Sequence, residues 1–470
     1  MKHLYTAILL ISVLCFTACK KYLDIKPKGT IIPQTVEDFE RILNDASLAR
    51  NLPNYLDQLT DDFYNTSLDP DKHEVNSENQ VYLWRADIFS TPEDYQYNSF
   101  YNLLYANIYQ YNAIINGIDA ASGGSPGRKS AAKARAQLGR ALSYWYLVNL
   151  YAKPYDAQST GSTPGVSLVL SNDINAAIPG RGTIQQTFDF ILKDLNEAIS
   201  ALPLSASDPY QLTKAAGYGF LARTYLTMNN YAKAGEAADK ALALNNKLID
   251  YNKEYAVYDD GTLNFIYAKS GSQMSNMLTA VENIFVQHYS YTRGMAYSTI
   301  ANATEALFST DDLRRIYITP NSINLSDPSE WDGTYIYMGY TSANYNIGIT
   351  TPEMYLIRAE ANARSGNIQL ALDDLKTLRK NRIKTSAYTD LTAGDKKTAT
   401  QLVLTERRKE LLFKGVRWFD MRRLNNDPDF GFTARHYFYD GTFIELKPNS
   451  DRYTLRLPET AINTDIVQNP

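Results

Sequence analysis

Apolar residues recur at three- and four-residue steps through much of this chain, the spacing that lines one face of an α-helix. Between Glu93 and Ile118, Phe100, Leu103, Leu104, Ile108, Tyr111, Ile114 and Ile115 form such a stripe, which Ser122-Gly123-Gly124-Ser125-Pro126-Gly127 breaks. A second helix, rich in alanine and aromatics, is predicted from Ser130 to about Ala152 and ends where Pro154 forbids continuation. A third runs from about Thr183 to Leu202, with Phe188, Ile191, Leu195 and Ile199 on its apolar side, and stops at Pro203.

Two later stretches read as versions of one unit. Thr213 to Leu244 is helix, turn at Asn229-Asn230 and helix, with Ala215, Ala216, Gly219 and Ala222 followed by Ala234, Ala238 and Ala241. Thr351 to Arg382 repeats the plan with Ala359, Ala363, a turn at Ser365-Gly366-Asn367, then Ala371, Leu375 and Leu378. Small residues at these steps let antiparallel helices approach closely, in the manner of tetratricopeptide repeats. By contrast, 251–350 and 429–470 lose the helical period and gain Gly, Asn, Ser, Thr and Tyr. Three Asp-Gly-Thr triplets, at 260–262, 332–334 and 440–442, are expected to be tight hairpin turns. The expected fold is mainly α, a tetratricopeptide-like helical-repeat scaffold with long-loop and short-hairpin insertions. Its helices occupy about 93–244 and 351–423, and loops suited to binding about 60–92 and 251–350.

The N-terminus has a different logic. Met1-Lys2-His3, an apolar stretch from Leu4 to Phe16, and Thr17-Ala18-Cys19 have the form of a secretory signal with a small residue before the cut. A cysteine directly after that residue resembles a bacterial lipobox, in which the thiol is acylated. The expected organisation is a signal peptide at 1–18, a lipidated leader at 19–34 starting on Cys19, and a single domain at 35–470.

Composition narrows the chemistry. The only other cysteine, Cys15, lies inside the signal, so the mature fold is left without a disulfide framework or a cysteine-built zinc site. The four histidines, at 3, 73, 288 and 436, have no partners at metal-ligand spacing, so no cofactor or metal site is expected from them, while a metal ion held by a loop is left open. A net charge of −4 gives no electrostatic reason to expect nucleic acid. No nucleophile elbow or phosphate-cradling loop is present, so an enzyme is not expected, although 51 acidic residues leave glycoside hydrolysis open. The 36 tyrosines suit both binding surfaces and half-buried helix faces.

Several segments in order resemble the SusD/RagB family of surface lipoproteins of Gram-negative bacteria. They are Cys19-Lys20-Lys21-Tyr22-Leu23-Asp24; the stretch from Ala134 to Tyr151, with Leu142-Ser143-Tyr144-Trp145-Tyr146 at its centre; Asp194-Leu195-Asn196-Glu197-Ala198-Ile199; and Tyr355-Leu356-Ile357-Arg358-Ala359-Glu360-Ala361. The most specific is the block from Glu406 to Arg423, which departs from the usual family pattern in carrying Lys414 where Glu is common. The resemblance implies an eight-helix scaffold of tetratricopeptide-like pairs with variable loops on one side. It also implies capture of a nutrient polymer, a glycan in most described members, at the outer membrane. The protein would sit there on its lipid, facing outward, over a SusC-like TonB-dependent transporter.

The dense charges of 406–423 invite a catalytic reading, but Glu406 and Glu410 one helical turn apart, beside Arg407, Arg408 and Lys409, suit structural ion pairs better. Trp145 and Trp418 are embedded in these blocks and are expected in the core. Trp84 and Trp331 lie outside the repeat helices. An aromatic plane stacks on the C–H face of a sugar while polar neighbours bind its hydroxyls. Trp84 and Trp331 are therefore the first candidates for a ligand platform, with Tyr82 beside them and Tyr289, Tyr291 and Arg293 next. The alternatives are a peptide-binding, RagB-like member and a structural lid of the transporter with no ligand site of its own.

Overall fold

The computed structural model describes residues 33–48, 55–65, 68, 77–86, 88, 95–259, 264–275, 278–288, 298–320, 333–338 and 346–470. The first described helix, α1 (Val36–Leu43), opens on a capping box. The Thr35 side chain accepts from the Asp38 amide while the Asp38 carboxylate accepts from that of Thr35.

The frame follows the apolar stripes. Helices α2 (Tyr95–Gly117), α3 (Pro126–Tyr151), α4 (Ile184–Ile199), α5 (Lys214–Thr227) and α6 (Tyr231–Leu242) each pack on the next in chain order. α3 begins four residues before the expected Ser130, because the Ser125 side chain caps it and Pro126 fits a first turn. α7 (Thr351–Ser365) ends at Gly366, whose φ of 89° suits a residue without Cβ, and α8 (Ile368–Arg379) returns. α7 is packed by α6, by α8 and by α9 (Lys396–Glu410), so the two repeat units touch although the whole of 243–350 separates them in sequence. A Cβ on Gly235 of α6 would come within 2.8 Å of the Ala361 Cβ on α7, which shows how close this crossing is. Trp145 and Trp418 are buried, as expected, with Trp145 edge-on to Phe419.

The insertion leaves and re-enters the frame at one place. The Thr351 hydroxyl donates to the Asn245 carbonyl (3.4 Å) and the Tyr355 hydroxyl to that of Asn246 (3.3 Å), while the Thr351 amide donates to Glu282 (2.8 Å). It carries a hairpin of β1 (Tyr255–Asp259) and β2 (Asn264–Ala268), and a three-stranded antiparallel sheet. In that sheet β5 (Tyr335–Tyr337) lies between β3 (Ser298–Ile300) and β4 (Ile318–Pro320). A last hairpin, β6 (Ala434–Tyr437) and β7 (Phe443–Leu446), closes through Asp440-Gly441-Thr442 with Gly441 at φ 84°. Two of the three Asp-Gly-Thr triplets thus lie between paired hairpin strands. The third, at 332–334, ends the connection from β4 to β5, which is too long for a tight turn.

The block 406–423 is two helices, α9 and α10 (Arg417–Leu424), parted where Phe413 and Gly415 take φ of 52° and 67°. Its charges form a buried lattice. The Arg223 guanidinium donates to both Glu353 oxygens (3.0 and 2.6 Å), and Arg407 bridges Asp420 (2.8 Å) and Glu353 (3.5 Å). Arg423 continues to Asp420 (2.7 Å) and both Glu360 oxygens (2.7 and 2.8 Å). A second branch joins Glu410 to Arg382 (2.9 Å) and Arg314 (3.0 Å), and Arg314 to Asp312 and Glu406 (2.8 and 2.7 Å). Burial raises the Asp420 carboxyl, but Arg407 and Arg423 outweigh it and bring it down to about 2. Lys414 is buried beside Glu410 and Glu282, where a cation offsets carboxylates that another Glu would crowd. These side chains are committed to one another, which makes the block structural.

Candidate functional site

Local geometry decides what each nominated residue can offer. Tyr82 and Trp84 end a short helical segment, with Trp84 at φ 48°. The Trp84 indole N–H donates to the Leu59 carbonyl (3.0 Å) and the Tyr82 hydroxyl to that of Tyr437 (2.7 Å). Both rings pack on His436 of β6, with centroids 3.9 Å and 4.0 Å away and planes within 17° and 1°. Tyr82 is 0% and Trp84 5% exposed. The expectation that these two rings face a ligand is corrected by this placement: they close a seam between the loop region and the C-terminal hairpin. The cause is apolar burial, since a loop on the sequence is here tucked under a second element.

His436, passed over for want of metal partners, is the centre of that seam. Its Nδ1 lies 2.6 Å from the Tyr82 carbonyl oxygen and its Nε2 2.7 Å from that of Thr60. Burial pushes the imidazole down to about 4, against the smaller upward pull of those two carbonyls and of Asp61. A neutral ring has one N–H, so it donates to one carbonyl and sets a bare nitrogen against the other. The signal in sequence was the alternation around Ala434-Arg435-His436-Tyr437 before an Asp-Gly-Thr turn, which puts His436 on the inner face.

Trp331, Tyr289, Tyr291 and Arg293 lie outside the described residues, as does Cys19. Their anchorage is described. The segment holding Tyr289, Tyr291 and Arg293 runs into β3 at Ser298, and that holding Trp331 joins β4 to β5. A three-residue strand is roughly 10 Å long, so both segments spring from one small sheet. The sheet is strapped to the other nominated loop region. Phe63 forms a β-bridge with Ile300, the Tyr64 amide donates to Thr299 (3.0 Å), and the Ala301 amide donates to Asp62 (2.8 Å). Arg408 of α9 fixes Asp62 (2.6 Å) and Arg417 of α10 grips both Asp61 oxygens (2.8 and 2.9 Å). Burial raises the Asp61 carboxyl, yet Arg417 and Arg408 hold it well below the usual range. The described parts of the two loop regions named from sequence thus meet at 61–64 and 299–301 and are tied to α9 and α10 there.

An open groove of about 1230 Å³ lies on the helices, between α6, α7 and α8. Its arginines are already paired, Arg358 with Asp239 and Asp374 and Arg364 with Glu360 and Asp427. Among the described residues no group of His, Cys, Asp or Glu could hold a metal ion, and no helix is long and apolar enough to cross a membrane.

Comparison with known proteins adds the following. Residues 21–226 match a family profile described as starch-binding associating with outer membrane, and residues 335–470 match that of the SusD family. A SusD-like protein, P38, of Formosa agariphila is 24% identical, covering 89% of this chain and 91% of its own. A putative sugar binding protein from Bacteroides vulgatus superposes with a TM-score of 0.73 at 20% identity, over 94% of this chain and 99% of its own. A laminarin binding SusD-like protein gives 0.59 at 16% identity, over 93% and 97%.

Proposed function

Because the chain belongs to the SusD/RagB family, we propose that it is a lipid-anchored, surface-exposed binding protein that captures an oligo- or polysaccharide and delivers it to a SusC-like TonB-dependent transporter. The observation that carries the reading is the small sheet of β3, β4 and β5 strapped to 61–64. The segments that carry Tyr289, Tyr291, Arg293 and Trp331 adjoin the strands of this one sheet in sequence, on a helical frame. The family's starch-binding description and the laminarin-binding relative support sugar as the ligand class. In this reading Trp331, with Tyr289 and Tyr291, stacks on sugar rings and Arg293 binds hydroxyls, while Tyr82 and Trp84 seat the β6–β7 hairpin. The carboxylates of the buried lattice are bound to guanidinium groups, so they do not serve as a catalytic pair.

The test is titration of the mature protein with a panel of plant, host and microbial glycans and a peptide digest, with Trp331→Ala in parallel. One glycan class should bind saturably, and Trp331→Ala should weaken it by about tenfold, the scale of one lost stacking contact. A response to peptides alone would replace the sugar by an extended peptide.

A further inference from the structure

The hairpin that covers Tyr82 and Trp84 turns its other side to solvent. Alternation along the strands puts Ala434 and His436 inward and Arg435 and Tyr437 outward, and the partner strand contributes Phe443 and Glu445 to the same outer face. Arg435 is directly opposite Glu445, and Tyr437 opposite Phe443. Tyr437, Phe443 and the turn residue Tyr439 are 41%, 45% and 63% exposed, a concentration of open aromatic surface in the short hairpin Ala434–Leu446. We propose that this face is a second saccharide subsite, which stacks one pyranose ring of a longer glycan on Tyr437 and Tyr439 and hydrogen-bonds its hydroxyls through Arg435 and Glu445. The inference rests on the glycan-capture reading and extends it to residues outside the two loop regions.

Three features favour a sugar over other occupants. Adjacent outward positions on one strand are roughly 7 Å apart and cross-strand pairs roughly 5 Å. The face therefore fits a single ring and falls far below the about 800 Å² each partner gives to a stable protein interface. Its charges cancel: the Arg435 Nε and Nη2 lie 3.1 and 3.0 Å from Glu445 Oε1. Such a pair presents donors and acceptors together, which suits hydroxyls better than an anion or a cation. Finally, the groups are held in advance. The Arg435 guanidinium lies 4.5 Å from the centre of the Phe443 ring, the Phe443 and Tyr437 rings lie 5.7 Å apart, and the Tyr437 carbonyl accepts from Tyr82. A free two-stranded hairpin is marginal in water. This one is pinned from beneath by the His436 seam, so its outer face is a platform rather than a flap.

Affinity electrophoresis of the mature protein through gels containing laminarin or soluble starch tests the subsite, with Tyr437→Ala/Tyr439→Ala, Tyr437→Phe/Tyr439→Phe and Trp331→Ala compared. The double alanine variant should lose about fivefold in affinity for the retarding polymer, and the phenylalanine pair, which keeps both rings, should retain most of it. Full retardation of the alanine variant beside the wild type would overturn the subsite while leaving glycan capture intact. Failure of the wild type to be retarded by any polymer of the panel would overturn capture and the subsite together. Unchanged retardation with loss of a co-purifying outer-membrane protein would assign the face to a protein partner and likewise overturn it.

Discussion

A single buried imidazole sets the pH response at the residue scale. His436 is pushed down to about 4 in the fold, below its ordinary 6.5, so the unfolded chain takes up the proton first. Stability from this group is complete above about pH 6.5 and is lost as pH falls toward 4. From pH 7 to pH 5 the loss should be about 2 kcal/mol, read as a drop in urea midpoint that His436→Gln largely removes. A wild-type midpoint that stays flat over this range would contradict it. This residue also shows why the site was only half legible. Aromatic side chains in a loop stretch read as available for a ligand, and Tyr82 and Trp84 carry no local mark of the hairpin that returns from residue 434 to cover them. Tertiary burial between segments some 350 residues apart is not encoded in either one alone.

At the scale of elements the sequence was far more readable, because helices announce themselves locally. The α2, α4, α5, α6, α7 and α8 segments fall within a few residues of their apolar stripes and their capping or stop residues. The misjudged boundary at α3 came from reading Pro126 as a breaker when it stands in the first turn behind a Ser cap. Glycines inside helices were harder to interpret. Gly139 of α3 sits where a Cβ would come within 2.3 Å of the Tyr111 ring on α2, and Tyr111 is itself buried. Gly139→Ala should therefore destabilise by about 1–3 kcal/mol through overpacking, despite a gain of about 1 kcal/mol in helix propensity. Chemical denaturation decides between them, and a stabilised variant would show that α2 can move aside.

For the whole molecule, the lattice of α9 and α10 ties both loop regions to the frame, and its pairings could not be assigned from the sequence. Glu406, Arg407, Arg408 and Glu410 are consecutive or nearly so, yet they reach Arg314, Asp420, Asp62 and Arg382 on four different segments. Charge density marked the block as structural, while the partners depended on the fold. Membrane attachment belongs to this scale too. A Cys19→Ala chain should leave the outer-membrane fraction for the soluble one with its glycan binding intact, and retention in the membrane fraction would refute a lipid anchor.

The meeting of Asn245 and Asn246 with Thr351 and Tyr355 has a wider consequence. Because the excursion between them starts and finishes at one point, residues can be added to it at a closure penalty that grows only as the logarithm of its length, so long as Glu282, Asp312 and Arg314 keep their buried partners. The chain is built like a socket and a cartridge keyed to it by Glu282, Asp312 and Arg314: insertions between those keys should leave the fold standing, whereas a swap that drops one of them should strand a buried charge on Arg382, Lys409 or Glu410.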